Sequence, residues 1–276
     1  MKNPAKLLVT GAVIAAIALA VAGCSTSVAD SGSTPTAGTA SDGSLAAVHK
    51  AGTLTVGTEG TYRPFSFHEG GSGALTGYDV EVIRSVAAKL GVKVKFEETQ
   101  WDAIFAGLKA GRFDVVANQV SITPERSAAY AFSTPYTQST GVVVVLSTNT
   151  SIASFAALAG KSTAQSLTSN WYTLAKDSGA TVEGVEGWAQ SVALVEQGRV
   201  DATINDKLTY LDYKKQTGAA GLKIATETDQ KSRSAFAFRQ GSTALVNAVN
   251  SALVALTADG TLAKLSEKYF GADVSK

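Results

Sequence analysis

From Thr53 onward, short runs rich in β-branched residues alternate with stretches whose apolar residues recur every three or four positions. Thr53–Thr58 predicts a strand, and Asp79–Leu90 predicts a helix with Ile83, Val86, Ala87 and Leu90 on one face. Val92–Glu97 alternates as a strand does. Trp101–Ala110 sets Trp101, Ile104, Phe105 and Leu108 on one helical face, and Phe113–Ala117 predicts another strand. This order predicts a mostly parallel sheet covered by helices. A continuous apolar run, Val142–Leu146, follows the turn-rich segment Ser133–Gly141, and the alternation then restarts. The second series predicts a helix near Ser154–Leu158, strands at Lys161–Gln165 and Ala180–Val185, and a helix from about Asn170 between those strands. Helix Ser191–Gln197, strand Val200–Asn205 and helix Asp206–Gln216 follow. An extended stretch at Ala235–Arg239 then leads into closing helices at Thr243–Leu256 and Thr261–Tyr269. Two α/β units of about a hundred residues each accommodate this order better than one.

The sequence ahead of this body reads as an address. Lys2 and Lys6 precede a stretch from Leu7 to Ala22 that is apolar apart from Thr10 and Gly11. It is shorter than the ~20 residues a membrane span needs and has the layout of an export signal. It ends in Val21-Ala22-Gly23-Cys24, which resembles the lipobox of bacterial lipoproteins, in which the Cys becomes the lipidated first residue. The expectation is a signal peptide over 1–23, lipidation at Cys24 and a flexible linker to residue 44. Ser25 to Ser44 holds almost nothing but Ser, Thr, Ala, Gly and Asp, too little apolar surface to order itself.

Composition narrows the chemistry. The 24 basic and 23 acidic residues nearly cancel, and without Lys2 and Lys6 the balance is 22 against 23. A chain whose main business is nucleic acid needs clustered positive charge, so no nucleic-acid partner is expected. The single Cys excludes an intramolecular disulfide and any multi-Cys metal site, and two His leave little for a His-rich metal centre or an acid–base relay. Neither a metal nor a cofactor is expected. Gly160-Lys161-Ser162-Thr163 looks like the end of a phosphate-binding loop, but Phe155 stands where that motif needs Gly. The hydrolase elbow and the zinc-protease motif are absent.

Ser121-Ile122-Thr123-Pro124-Glu125-Arg126 is the most informative local segment. Thr123 suits an N-cap, Pro124 the first helical position, and Glu125 the positive end of the helix dipole. Free N–H groups there, with the Arg126 guanidinium, suit a carboxylate. A plain surface helix start with an exposed Arg fits the local sequence equally well.

The run Thr58-Glu59-Gly60-Thr61-Tyr62-Arg63-Pro64-Phe65-Ser66-Phe67 resembles the polar-amino-acid-binding proteins of bacterial ABC importers. So do Gly77-Tyr78-Asp79-Val80-Glu81, Trp101-Asp102, Gly111-Arg112-Phe113-Asp114-Val115 and Thr123-Pro124-Glu125-Arg126. Phe132-Ser133-Thr134-Pro135-Tyr136, Gly198-Arg199-Val200-Asp201-Ala202 and Asp259-Gly260-Thr261-Leu262 continue the match, in order, from Leu45 to the end. Asn118-Gln119-Val120, the Thr58–Tyr62 run and the ending Leu265–Asp273 resemble the cystine-binding branch most.

The resemblance implies an α/β, two-lobed periplasmic-binding-protein-like fold of type II, its lobes joined by a two-strand hinge. Laid on this chain, lobe one covers 45–136 and 234–276, lobe two covers 140–231, and the crossings fall near Thr137–Val142 and Gln230–Ala235. Carried over position by position, Arg126 grips the ligand α-carboxylate, helped by the Ser121 N–H and hydroxyl, and Asp206 takes the α-ammonium. Tyr62 and Trp101 fall where the family has aromatic walls, with a core-packing role open for each. Glu59 stands where relatives often carry an acidic group, and Gln119 where they often have Gly. Ser169 and Asn170 begin a lobe-two helix that donates N–H groups to the carboxylate, although Thr168-Ser169 departs from the family's frequent Gly-Thr.

The implied role is a lipid-anchored, extracytoplasmic, monomeric receptor that captures L-cystine and delivers it to an ABC permease and its ATPase subunit. Glutamine, glutamate and arginine are the competing ligands. A dehydratase on the same scaffold would need a general acid or base, for which Glu59 is the candidate. A sensor or adhesion role would need a separate partner.

Overall fold

The computed structural model describes residues 42–276; Cys24, the export signal and most of the expected linker lie outside the described residues. The last expected linker residues, 42–44, are folded in. Asp42 accepts from the backbone N–H of Ala244 (2.7 Å), and the Ser44 hydroxyl accepts from that of Leu245 (3.0 Å). They supply the helix Thr243–Ala258 with the cap that its own Ser242 does not make. A helix, Ser44–Ala51, starts there.

The first sheet runs in the order Lys93–Glu98, Thr53–Thr58, Val115–Ser121, Ser232–Arg239, Tyr130–Phe132, with Thr137–Ser139 also paired to Ser232–Arg239. Its first three strands are parallel and Ser232–Arg239 is antiparallel to its neighbours. Strand periodicity divides the core between its two faces. Val115, Ala117, Phe236 and Phe238 enter one cluster with helices Tyr78–Leu90 and Thr243–Ala258, whereas Val116, Val120 and Ala237 enter another with Trp101, Ile104 and Leu108.

The second sheet departs from the mostly parallel arrangement expected of it. Gly141–Leu146 lies antiparallel to both Thr203–Asp206 and Leu222–Glu227. The chain enters this lobe from the other through Gly141–Leu146, so no helical crossover has set that strand's direction. Ser162–Gln165 and Thr181–Gly184 pair in parallel and join the rest through a parallel bridge from Thr163 to Ala202. Val142 and Val144 face one cluster, Val143 and Val145 the other, which accounts for the unbroken apolar run. The helix expected near Ser154–Leu158 is a single 3-10 turn, Phe155–Leu158, because Ala159 leaves helical backbone and Gly160 turns at φ 72°.

Two segments join the lobes. Thr137–Ser139 pairs with Ser232–Ser234, and Gly141 and Thr228 exchange hydrogen bonds of 3.0 and 2.8 Å just beyond. Packing against Trp171 leaves Gly141 no room for a side chain.

Candidate functional site

The parallel strands of the first sheet end at the cleft, the usual place for a ligand in such sheets. At those ends Asn118 organises one wall. Its Oδ1 accepts from the Glu59 N–H (2.9 Å) and the Thr58 hydroxyl (3.0 Å), while its Nδ2 donates to Glu59 Oε2 (2.5 Å). Burial nonetheless pushes the Glu59 carboxyl up to about 7, against the pull of Asn118. Gln119 sits at φ 50°, in the left-handed region that favours Gly. Its N–H donates to the buried Asp79 carboxylate.

The Thr123 expectation holds as local geometry: its Oγ1 accepts from the Arg126 N–H (3.2 Å) at the start of the helix Pro124–Ala129. Arg126 is not a free surface group. Its guanidinium carbon lies 5.2 Å from the Trp101 ring centroid and 5.3 Å from that of Phe105, and desolvation lowers its pKa to about 10. Nη1 donates to the Ser121 carbonyl (3.1 Å) and to Asn170 Oδ1 (3.4 Å), and Nη2 to the Thr168 carbonyl (3.3 Å). All three are neutral oxygens. Ser121 thus meets Arg126 through its carbonyl, and its hydroxyl accepts from Ser232 Oγ at 3.0 Å. Trp101 packs with Ile104 and Leu108 and also lines the pocket between the lobes.

Lobe two closes on this wall. The Tyr62 hydroxyl donates to Asn205 Oδ1 (2.8 Å) and accepts from the Thr209 hydroxyl (3.2 Å). Asp102 Oδ1 accepts from both the N–H (3.1 Å) and the hydroxyl (2.6 Å) of Thr168. Arg63 and Asp212 approach to 3.5 Å. Ser169 caps the helix Asn170–Asp177, its hydroxyl accepting from the Tyr172 N–H (3.0 Å). Asp206 caps Lys207–Thr217, accepting from the Leu208 N–H (2.8 Å) and from the Ser139 hydroxyl (2.7 Å) on the crossing strand. Its burial raises the carboxyl to about 6.

Between the lobes lies a small pocket. Of the residues expected at the site, Glu59, Tyr62, Trp101, Gln119, Ser169 and Asn170 line it. Ser121, Arg126 and Asp206 do not; Arg126 stands against the lining residues Trp101 and Asn170, Asp206 beside Asn205, and Ser121 is bonded to Arg126 and Ser232. Sequence reasoning missed Asn118, Gln165, Trp188 and Asn205 as lining residues. Asn118 lies in the middle of Val115–Ser121, and Gln165 and Asn205 lie in short strands that are themselves largely polar, so nothing in the local sequence singled the three out. Among the described residues, no cluster of three or more His, Cys, Asp or Glu is placed to hold a metal.

Residues 54–272 match the model of the bacterial extracellular solute-binding proteins, family 3. The chain is 55% identical over 238 residues to the L-cystine-binding protein TcyA of Bacillus subtilis, covering 86% of this chain and 88% of that one. A crystal structure of the L-cystine solute receptor of Neisseria gonorrhoeae, unliganded and open, is 51% identical, with 84% and 99% covered and a TM-score of 0.57. An ancestral arginine-binding protein bound to arginine is 38% identical, with 80% and 99% covered, yet superposes at 0.75. The better fit to the less similar, ligand-bound protein agrees with the bonds across this cleft: the lobes here are closed.

Proposed function

The chain belongs to the bacterial extracellular solute-binding proteins of family 3, and from this we propose that it captures L-cystine outside the cytoplasm by closing two lobes and delivers it to an ABC importer. The observation that carries the reading is Arg126, a guanidinium shielded by two aromatic rings and bonded, among the described residues, only to neutral oxygens. A ligand α-carboxylate takes this fork in exchange for the Thr168 carbonyl and Asn170 amide oxygens, with the Ser121 N–H and hydroxyl and the Ser169–Asn170 helix start assisting. Asp206 receives the α-ammonium in exchange for Ser139. One zwitterion thereby satisfies a cation on lobe one and an anion on lobe two, which couples closure to ligand. Tyr62 and Trp101 flank the disulfide, and Glu59 and Gln119 meet the far end. The ligand leaves unchanged, so the role is transport and not catalysis. The receptor works as a monomer tethered through lipid at Cys24, with a permease and its ATPase subunit as partners.

Support for cystine comes from the two cystine-binding relatives and from a cleft that carries polar groups well beyond one amino-acid head. Glu59 on the pocket wall favours a second reading, a cationic amino acid such as arginine. Calorimetry with cystine, cysteine under reductant, glutamine, glutamate and arginine separates these. Tightest binding of cystine, abolished by reductant, is the expected result; tighter binding of arginine would replace the cystine reading with the second.

A further inference from the structure

We propose that lobe two carries a receiving site for the far end of a two-headed ligand, in which the Gln165 amide N–H and the Trp188 indole N–H take the distal carboxylate. The proposal rests on the cystine reading and deepens it. Both residues line the pocket between the lobes, and they are 2% and 8% exposed. Gln165 Nε2 and Trp188 Nε1 are nonetheless without a hydrogen-bond partner among the described residues. Buried polar groups in native proteins are paired almost without exception, so two orphaned donors on one pocket wall point to a ligand that pairs them.

Local geometry holds both donors in place. Gln165 ends the strand Ser162–Gln165, and the Thr163 hydroxyl donates to its Oε1 at 3.0 Å. In this arrangement the amide oxygen faces the Thr163 hydroxyl and the NH₂ is the end without a partner. Trp188 opens the helix Trp188–Glu196, and its ring stands edge-on to Tyr213 at 5.7 Å between centroids. An indole can only donate, so the group it meets is an acceptor, a carboxylate and not an ammonium.

The neighbouring chemistry supplies the complement. Glu59 reaches the start of the same helix: a side-chain carbon built on Gly187 would lie 3.8 Å from Glu59 Oε1. Its carboxyl is thus beside Trp188, where it meets the distal ammonium while the two N–H groups meet the distal carboxylate. The Gln119 side chain, 6% exposed and with both amide atoms unpaired, adds one donor and one acceptor to the pocket lining. Arg126 directs its hydrogen bonds to Ser121, Thr168 and Asn170, so the receiving donors are separate from the proximal anchor.

The test compares two ligands on three proteins by calorimetry. The ligands are L-cystine and the mixed disulfide of L-cysteine with cysteamine, which keeps the distal amine and lacks the distal carboxylate. The proteins are the parent, the near-isosteric Gln165→Met, and Trp188→Phe, which removes the indole N–H together with part of the ring, with thermal melts recorded in parallel. The parent should prefer cystine, and each variant should lose about tenfold to a hundredfold in cystine affinity while binding the mixed disulfide within about threefold of the parent. Equal losses for both ligands, or no loss for cystine, would overturn the receiving site and leave the cystine reading standing. A parent that binds arginine but neither disulfide would sink the cystine reading and the receiving site with it. Should one variant fail to fold, the other still decides, since each carries its own ligand comparison.

Discussion

Replacing Arg126 with Ala separates a binding role from a folding role. In the ligand-free protein the guanidinium makes three hydrogen bonds to neutral oxygens and lies over two rings. Each bond contributes about 0.5–1.5 kcal/mol net and a cation–π contact about 0.5–2 kcal/mol, but burial of the charge, visible as the lowered pKa, opposes them. The expected net loss is about 1–2 kcal/mol, or a drop in Tm of a few degrees for a chain of this size. Ligand binding should suffer far more, because a carboxylate would be left in the closed cleft without its cation, a loss of about 2–5 kcal/mol. That is roughly thirtyfold to several thousandfold in affinity. The two effects part company in a melt. At a hundred times the parent's Kd, ligand stabilises the parent by about 2.7 kcal/mol; for a variant bound a hundredfold more weakly the same concentration gives only ~0.4 kcal/mol. Calorimetry and ligand-dependent melts on Arg126→Ala therefore read one quantity in two ways. Cystine affinity within about threefold of the parent, in a variant that still folds, would refute the carboxylate assignment.

Cys24→Ala should move the protein from the membrane to the soluble fraction and change the mass of the mature chain; unchanged retention and mass would exclude lipidation there. Burial raises the carboxyls of Glu59 and Asp79 to about 7 and that of Asp206 to about 6, so the folded state holds protons that the unfolded chain has released. Stability of the ligand-free protein should accordingly fall as pH rises from about 4.5 to 7, and Glu59→Gln should flatten part of that slope in melts across the range. Asp102→Ala removes the carboxylate that accepts twice from Thr168, so small-angle scattering should show the ligand-free protein more open, with cystine binding weakened by about tenfold or less. A parent and variant with the same radius of gyration and affinity would show that this contact does not hold the lobes together.

Much of the fold was legible because local rules and tertiary packing agree. The helix Tyr78–Leu90 was visible from its apolar spacing, and Thr123 and Pro124 announced the helix start that they make. Leu222–Glu227 escaped notice because its half-buried residues, with Lys223 and Thr226 among them, show no clean alternation. The 3-10 turn at Phe155–Leu158 escaped for a different reason: four residues carry too little periodicity to separate one turn from a helix. At the site, Glu59, Tyr62, Trp101 and Arg126 stand in quotable motifs, whereas Gln165 and Trp188 sit in segments that resemble ordinary strand and helix ends.

The sequence by itself determined the alternating α/β order, the apolar strand that opens lobe two, and the cap that starts the Arg126 helix, because each depends on neighbours a few positions away. Tertiary structure alone decided that this strand runs antiparallel, that Arg126 lies over Trp101 and Phe105, and that Tyr62 meets Asn205 and Thr209 across the cleft. Those facts join residues tens to more than a hundred positions apart. Hydrophobic periodicity says which face of an element is buried, but it carries no information about which distant partner covers it.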